Sequence, residues 1–262
     1  MKRPSKLSKP ERQQRILAEL RVSATIRINE LAADLGVSTE TIRRDLEEMG
    51  QSGLVNRTYG GAVARPLGFE PAWGERFQAM ATEREAIGAA TARMAQPGEV
   101  LMIDAGSTTL HVARRLAMEA KDLTIITNSF AVATALGTNP AMNVIACPGR
   151  YDAHEGAVTG PDTLAFLQRF NANRVIIGAS GITAEGPNEA NSGGAAVKRA
   201  MLARAEDRIL VVDHGKFDRP NLEVVCPLNG IDRVVSDRAP TGKLAQALKR
   251  AGVEVHHRTV SA

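Results

Sequence analysis

Hydrophobic residues recur at helical spacing near the start of the chain. Ile16, Leu17 and Leu20 fall on one side of residues 11–21, and charged residues occupy the other side. This spacing predicts a short amphipathic helix. The stretch ATIRI that follows, residues 24–28, has the composition of a brief strand.

A second helix is predicted over residues 29–36. Leu31 and Leu35 share its inward side. Gly36 ends it, because glycine tolerates the left-handed conformation that commonly follows a helix.

The third predicted helix lies within residues 37–53. Ser38 can cap its start, and Ile42, Leu46 and Met49 form the inward stripe. Its outward face then carries hydroxyl and guanidinium groups, those of Thr39, Thr41, Arg43 and Arg44.

Two helices joined by a tight Gly-Val-Ser turn form a helix-turn-helix, whose second helix enters the major groove of DNA. Residues 54–65 follow as two short strands around the Gly60-Gly61 turn, flanked by Arg57 and Arg65, as in a wing. The alternative is that the arginines belong to an ordinary solvated helix face. We predict DNA contacts from Ser38, Thr39, Thr41, Arg43, Arg44, Arg57 and Tyr59.

Residues 30–63, ELAADLGVSTETIRRDLEEMGQSGLVNRTYGGAV, resemble the N-terminal signature of the DeoR/GlpR group of sugar-metabolism repressors. The matching motifs are the T-I-R-R-D-L recognition helix and the R-x-x-G-G-A wing. The resemblance implies a winged helix-turn-helix that binds operator DNA.

Residues 66–82 contain two prolines, two glycines and the single tryptophan, without sustained periodicity, and are predicted to be a linker that Trp73 and Phe77 anchor to the larger domain. From Glu83 onward, helix-like stretches alternate with short apolar runs. This alternation predicts a mainly parallel α/β domain. The runs are VLMID, LTIIT, MNVIA, RVIIG, RILVV, RVVS and VEVH.

The predicted domains are therefore 1–65 for DNA binding, 66–82 as linker and 83–262 as an α/β ligand-sensing domain. Ligands of such sheets bind beyond the carboxyl ends of the strands. Polar and small residues follow the predicted strands at those ends, namely Asp104, Gly106, Ser107, Thr108 and Thr109, then Asn128, then Gly149 and Arg150, then Ser180, and then Asp213 to Lys216.

The Gly106-Ser107-Thr108-Thr109 loop gives the sharpest signal. A strand that runs through glycine and three hydroxyls into a helix leaves backbone N–H groups free to bind an anion. The alternative is a Ser/Thr helix cap without a ligand. With Lys198 and Lys216 to neutralise charge, we predict a sugar phosphate here.

The resemblance to DeoR-type repressors continues through IDAGSTT, TNS, VTGP, GASGI, VKRAM and VVDHGKF. It implies an effector-binding domain related in fold to ribose-5-phosphate isomerase. Two segments depart from the family pattern, 147–150 (CPGR) and 186–201 (GPNEANSGGAAVKRAM). The implied effector residues are Asp104, Gly106, Ser107, Thr108, Thr109, Asn128, Gly149, Lys198, Asp213 and Lys216.

The distribution of charge narrows the range of functions that the chain can have. The net charge is +4, and all of the excess lies in residues 1–65, which hold twelve Lys/Arg and eight Asp/Glu against 21 of each in the remainder. A basic module attached to a neutral one fits a polyanion partner, although a solvated tail is the alternative.

Other classes of function lack support. The sequence has no nucleotide-binding glycine motif and no zinc-ligand spacing, so we expect neither cofactor nor metal. No signal peptide or apolar span is present, so we expect a cytoplasmic protein without membrane contact. Cys147 and Cys226 are expected to be buried thiols.

The leading hypothesis is a repressor released from double-stranded operator DNA by a phosphorylated sugar or polyol. Two alternatives stay open: a sugar-phosphate isomerase with a DNA-binding appendage, or an architectural DNA-binding protein without a ligand. His214 is a candidate general base or a polar residue of the pocket. Paired half-sites predict a homodimer or homotetramer.

Overall fold

The computed structural model describes residues 7–23, 25–51, 55–64 and 67–257. The chain divides into two compact units between Pro66 and Leu67. Within the described ranges, no helix combines the length and the apolar character that a membrane span requires.

The described residues of the first unit form three helices and a small antiparallel sheet with strand order β1-β3-β2. Its elements are α1 (Lys9–Val22), β1 (Thr25–Arg27), α2 (Ile28–Asp34), α3 (Thr39–Gln51), β2 (Val55–Thr58) and β3 (Gly61–Ala64). Ile16, Ile42 and Leu46 are buried together in its core. This is the winged helix-turn-helix that the sequence predicts.

The predicted strand over residues 24–28 is shorter than expected. Ile28 begins α2 instead of ending the strand, and its side chain is buried in the core of the first unit. Ala24 lies outside the described residues.

The second unit is an α/β structure. Its elements are α4 (Trp73–Gln78), α5 (Ala81–Ala92), β4 (Val100–Ile103), α6 (Ser107–Glu119), β5 (Leu123–Thr127), α7 (Phe130–Leu136), β6 (Met142–Ala146), β7 (Arg150–Asp152), β8 (Ala157–Thr159), α8 (Pro161–Leu167), β9 (Ala172–Ile177), β10 (Gly181–Thr183), β11 (Gly186–Glu189), α9 (Ser192–Leu202), β12 (Ala205–Val211), β13 (Glu223–Val224), β14 (Arg233–Ser236), α10 (Gly242–Arg250) and β15 (Glu254–His257).

Seven of these strands form one sheet with the order β15-β14-β12-β9-β4-β5-β6, and every pair within it is parallel. Alternate residues of each strand point to opposite faces. Leu101 and Ile103 therefore pack into one hydrophobic cluster and Met102 into the other. The prediction of a mainly parallel α/β domain is confirmed.

The segment predicted as a linker has regular structure within the described residues. It contains α4 and the start of α5. Trp73 and Phe77 pack against one of the two clusters of the second unit, which is the anchoring expected of them. Their rings stack on each other with centroids 5.6 Å apart.

Candidate functional sites

The start of α3 is capped as predicted. Ser38 Oγ accepts a hydrogen bond from the Thr41 backbone N–H at 3.2 Å, and the two hydroxyl oxygens are 2.9 Å apart. Ile42, Leu46 and Met49 face the core of the first unit. The opposite side of α3 is therefore available for contacts outside this unit.

A buried ion pair fixes α3 against α1. Arg12 donates through Nε and Nη2 to the two carboxylate oxygens of Asp45, the second bond measuring 3.0 Å. The hydrogen bond to Asp45 raises the pKa of Arg12 above its usual value. The pair sets the position of the helix that carries the predicted DNA contacts.

Arg43 and Arg44 extend from α3 into solvent, with 58% and 76% of their side chains exposed. Both lie near the Glu40 carboxylate, at 3.6 Å from Arg43 Nη1 and 3.4 Å from Arg44 Nε. Exposed ion pairs of this kind are worth only about 0–1 kcal/mol. Glu40 therefore holds the two arginines only weakly.

The remaining predicted DNA contacts lie in the wing, which is formed by β2 and β3, and at the start of α3. Tyr59 is fully exposed at the turn between β2 and β3. Thr39 is half-buried at the start of α3. Arg57 belongs to β2, but its side chain is not among those described, and Arg65 lies outside the described residues.

In the second unit, a cleft opens beyond the carboxyl ends of the parallel strands. Seven of the predicted effector residues line it together: Asp104, Gly106, Ser107, Thr108, Asn128, Lys198 and Lys216. They come from the ends of β4, β5 and β12, the start of α6 and the side of α9. The sheet thus gathers residues that are far apart in the chain.

The start of α6 forms one wall of this cleft. Gly106 is the residue before the helix, and no side chain caps the first turn. A Cβ atom at Gly106 would lie 3.1 Å from Thr109 Oγ1, a tight contact. Asn128 shapes the loop, because its Oδ1 accepts from the Ala105 N–H and its Nδ2 donates to the Val158 carbonyl, each at 3.0 Å.

Lys198 is buried between two carboxylates. Its Nζ contacts Asp104 and lies 3.2 Å from Glu189 Oε1. Burial acts to lower the pKa of Lys198, but the charges of Asp104 and Glu189 outweigh it and raise that pKa. Burial in turn raises the pKa of both Asp104 and Glu189. One buried cation thus lies between two buried carboxylates, whose charged forms are disfavoured by burial.

Glu70, which precedes α4, places a further carboxylate in the cleft. It accepts hydrogen bonds from Lys216 Nζ at 2.6 Å and from Ser180 Oγ, and lies 3.3 Å from Arg76 Nη1. Burial acts to raise the pKa of Glu70, but Lys216 and Arg76 hold it well below its usual value. Burial lowers the pKa of Lys216, against the opposing charge of Glu70.

Four predicted effector residues do not line the cleft. Asp213 accepts hydrogen bonds from Arg84 Nε at 3.0 Å and from the Gly215 N–H at 3.1 Å. It therefore links the turn after β12 to the helix α5. The other three are Thr109, whose hydroxyl donates to the Gly106 carbonyl, Gly149, packed against Thr163, and Arg150, exposed on β7.

His214 also lies outside the cleft lining. Its Nδ1 is 2.6 Å from Asp237 Oδ2, and its backbone N–H donates to Oδ1 of the same carboxylate at 2.7 Å. Burial acts to raise the pKa of Asp237, but the bonds from His214 lower it below its usual value. His214 thus stabilises the turn after β12, and the expectation of a polar residue within the pocket is wrong.

Seven polar or charged residues also line the cleft but were not among the predicted effector residues: Glu70, Arg76, Glu155, Thr159, Ser180, Glu189 and Asn191. Ser180 follows a predicted strand, so the sequence did indicate that it lies at the ligand-binding edge of the sheet. Glu189 and Asn191 belong to the unusual segment 186–201. Glu70 and Arg76 lie in the predicted linker, where nothing in the local pattern marks them.

Residues 147–150, one of the two segments that depart from the family pattern, are not among those that line the cleft. Cys147 is buried, and burial raises its pKa to about 12, so it is an inert thiol. Across the described part of the chain, no three His, Cys, Asp or Glu residues are grouped to hold a metal ion.

Among solved structures, ribose 5-phosphate isomerase A from Methanocaldococcus jannaschii matches part of the chain. The TM-score is 0.38 and the sequence identity 14%, over 51% of this chain and 53% of the isomerase chain. The α/β assignment itself comes from the parallel strand order described above.

Two family models cover most of the sequence. Residues 12–65 match the DeoR-like helix-turn-helix domain, and residues 79–238 match the DeoR C terminal sensor domain. The first match contains α3 and the wing, and the second contains most of the residues that line the cleft.

Relatives with assigned names align over nearly the whole chain. The HTH-type transcriptional repressor CsqR of Escherichia coli is 31% identical over 87% of this chain and 87% of its own length. The glycerol-3-phosphate regulon repressor of Escherichia coli is 30% identical over 92% of this chain and 96% of its own length. The chain therefore belongs to the DeoR family of helix-turn-helix transcriptional regulators.

Proposed function

We propose that this regulator represses an operon for sugar or polyol catabolism and that a phosphorylated sugar or polyol bound in the cleft releases it from the operator. The observation that carries the proposal is the cleft itself. The cleft combines the uncapped start of α6 with two buried lysines. The other unit of the same chain exposes two arginines on α3. The name of the glycerol-3-phosphate relative supports the same class of effector.

The start of α6 is the proposed phosphate site. The backbone N–H groups of Ser107 and Thr108 belong to the first turn, where the helix dipole favours an anion. The lack of a side chain at Gly106 lets phosphate oxygens approach the backbone. Asp104 and Lys198, which also line the cleft, are the proposed partners of ligand hydroxyls.

The proposed DNA interface is the outward face of α3 with the wing. Arg43 and Arg44 supply charge for phosphates or guanine edges, and Tyr59 extends from the wing. Operators read by such helices contain paired half-sites, so we propose a homodimer or homotetramer that acts in the cytoplasm, where its DNA is.

Release requires that the ligand bind the DNA-free state more tightly than the DNA-bound state, because equal affinity would shift nothing. The test uses duplexes that the full-length protein selects from a random library. Fluorescence anisotropy then measures duplex affinity with and without a panel of sugar and polyol phosphates. We expect one phosphorylated compound to weaken binding at least about tenfold, a coupling of about 1.4 kcal/mol. The free sugar or polyol is the control.

The proposal fails if a phosphorylated compound stabilises the protein against heat yet leaves duplex affinity unchanged. It also assigns the cleft to binding without turnover. Incubation with ribose 5-phosphate tests this point, because conversion to ribulose 5-phosphate would instead support an isomerase.

A further inference from the structure

Residues 67–78, here called the strap, lie along one side of the cleft. Two hydrogen bonds join the strap to the turn between β7 and β8. His154 Nε2 donates to the Glu70 carbonyl at 3.0 Å, and the Trp73 N–H donates to the His154 carbonyl at 2.9 Å. The strap begins directly after the first unit ends, at Leu67.

One side chain of the strap reaches into the cleft among cations. The Glu70 carboxylate is 2% exposed, and it receives Lys216 Nζ, Ser180 Oγ and Arg76 Nη1 around its oxygens. The Lys216 and Arg76 side chains are each 12% exposed. Glu70 is thus the internal counter-ion of Lys216, and it shares Arg76 with Glu155, whose Oε2 lies 2.7 Å from Arg76 Nη2.

These cations differ from Lys198 in how their charge is balanced. Lys198 contacts two carboxylates that belong to the sheet region, Asp104 at the end of β4 and Glu189 on β11. The counter-ion of Lys216 comes instead from the strap, a segment outside the sheet. Moving Glu70 would leave the buried Lys216 ammonium without its ion-pair partner, which is costly unless another anion takes its place.

A phosphate group presents the same kind of acceptor as Glu70, with several oxygens for ammonium, guanidinium and hydroxyl donors. We propose that Lys216, Arg76 and Ser180 belong to the same phosphate-binding site as the start of α6, since both line one cleft. Glu70 fills this side of the site, and a ligand phosphate replaces Glu70 and releases the strap. This inference rests on the proposed function, because it assumes an anionic effector in the cleft. In this proposal the strap transmits the effect of ligand binding, because it directly follows the DNA-binding unit in the sequence.

Trp73 reports on the strap without any label, because it is the single tryptophan of the chain. Its ring stacks on Phe77 and lies against Gly156. The experiment titrates the full-length protein with inorganic phosphate at constant ionic strength, with chloride as the control salt. We expect a saturable shift of tryptophan emission to longer wavelength as the strap leaves its contacts.

Glu70→Gln removes the competing charge while keeping the side-chain shape. We expect this variant to bind phosphate at least about tenfold more tightly than wild type, because the internal competitor is weakened. Its emission without phosphate should already approach that of the phosphate-saturated wild type. Glu185→Gln makes the same charge change at an exposed position and should leave phosphate affinity and emission unchanged.

The inference is overturned if phosphate binds but the emission stays constant and Glu70→Gln binds no more tightly than wild type. The operator-release proposal would survive that result, since it is judged by duplex affinity. Absence of phosphate binding in both proteins would also overturn the subsite. Should Glu70→Gln fail to fold, the wild-type emission titration decides the matter alone.

Discussion

At the residue scale, exposure and ion pairing determine which charged side chains can bind DNA or a ligand. Arg43 and Arg44 face solvent near a single carboxylate, whereas Lys198 and Lys216 are buried beside carboxylates of their own. Arg43 and Arg44 are therefore accessible to a partner without the loss of a buried contact. The buried lysines accept a new anion only if an existing carboxylate moves or gains a proton.

Replacing Arg43 or Arg44 by Ala is expected to weaken operator binding and its salt dependence. Each lost phosphate contact lowers the slope of log affinity against log salt by about 0.9. Anisotropy titrations at several salt concentrations give this slope. Arg250→Ala, an exposed arginine of α10, serves as the matched control. Wild-type slopes in both α3 variants would remove these residues from the interface.

Glu70 makes stability depend on pH in a defined direction. Its pKa in the folded state lies below the ordinary value of 4.5, because Lys216 and Arg76 outweigh the effect of burial. A carboxylate of this kind stabilises the fold above its unfolded pKa, and the contribution is lost as the pH falls toward the folded pKa. Urea unfolding between about pH 3 and pH 7 should therefore show a steeper acid loss in wild type than in Glu70→Gln.

The Glu185→Gln variant is expected to follow the wild-type acid profile, because Glu185 is exposed. Parallel stability curves for wild type and Glu70→Gln would show that the Glu70 carboxylate is not held by buried cations.

At the element scale, the seven strands of the large sheet were predictable because each is an apolar run in the sequence. The run VLMID contains β4, for example, and the run RVIIG overlaps β9 from Arg174 to Ile177. Strands such as β13 escaped prediction, because two residues carry no periodicity and pair with residues far along the chain. The helix α4 was not predicted, because the prolines and glycines of its segment indicated a linker.

The same distinction applies to the cleft. The residues at the start of α6 were predictable, since a strand, a glycine and a helix start are local features. Glu70 was not, because its burial depends on Lys216, which is distant in sequence. Asp213 shows the opposite error, because a polar residue after a strand can serve the fold, as its bond to Arg84 does.

The position of α3 is expected to depend on the buried Arg12–Asp45 pair. Asp45→Ala leaves the Arg12 cation buried without its partner, which costs about 3–5 kcal/mol. Thermal unfolding followed by circular dichroism measures the loss. The double variant Arg12→Met, Asp45→Leu removes both charges and should recover much of the stability. Unchanged unfolding of Asp45→Ala would show that the pair does not anchor α3.

At the scale of the whole molecule, a DNA-binding unit and a ligand-binding unit share one chain, and the proposed function requires that they influence each other. Thermodynamic linkage makes this influence reciprocal. A ligand that weakens operator binding by some factor must itself bind more weakly, by the same factor, when the operator is bound.

Isothermal titration calorimetry of the most stabilising sugar or polyol phosphate, performed with and without saturating operator duplex, tests this requirement most directly. The predicted result is a ligand affinity at least about tenfold lower in the presence of the duplex, equal to the factor by which the ligand weakens duplex binding. Identical ligand affinities in the two titrations would contradict the coupling of cleft to operator.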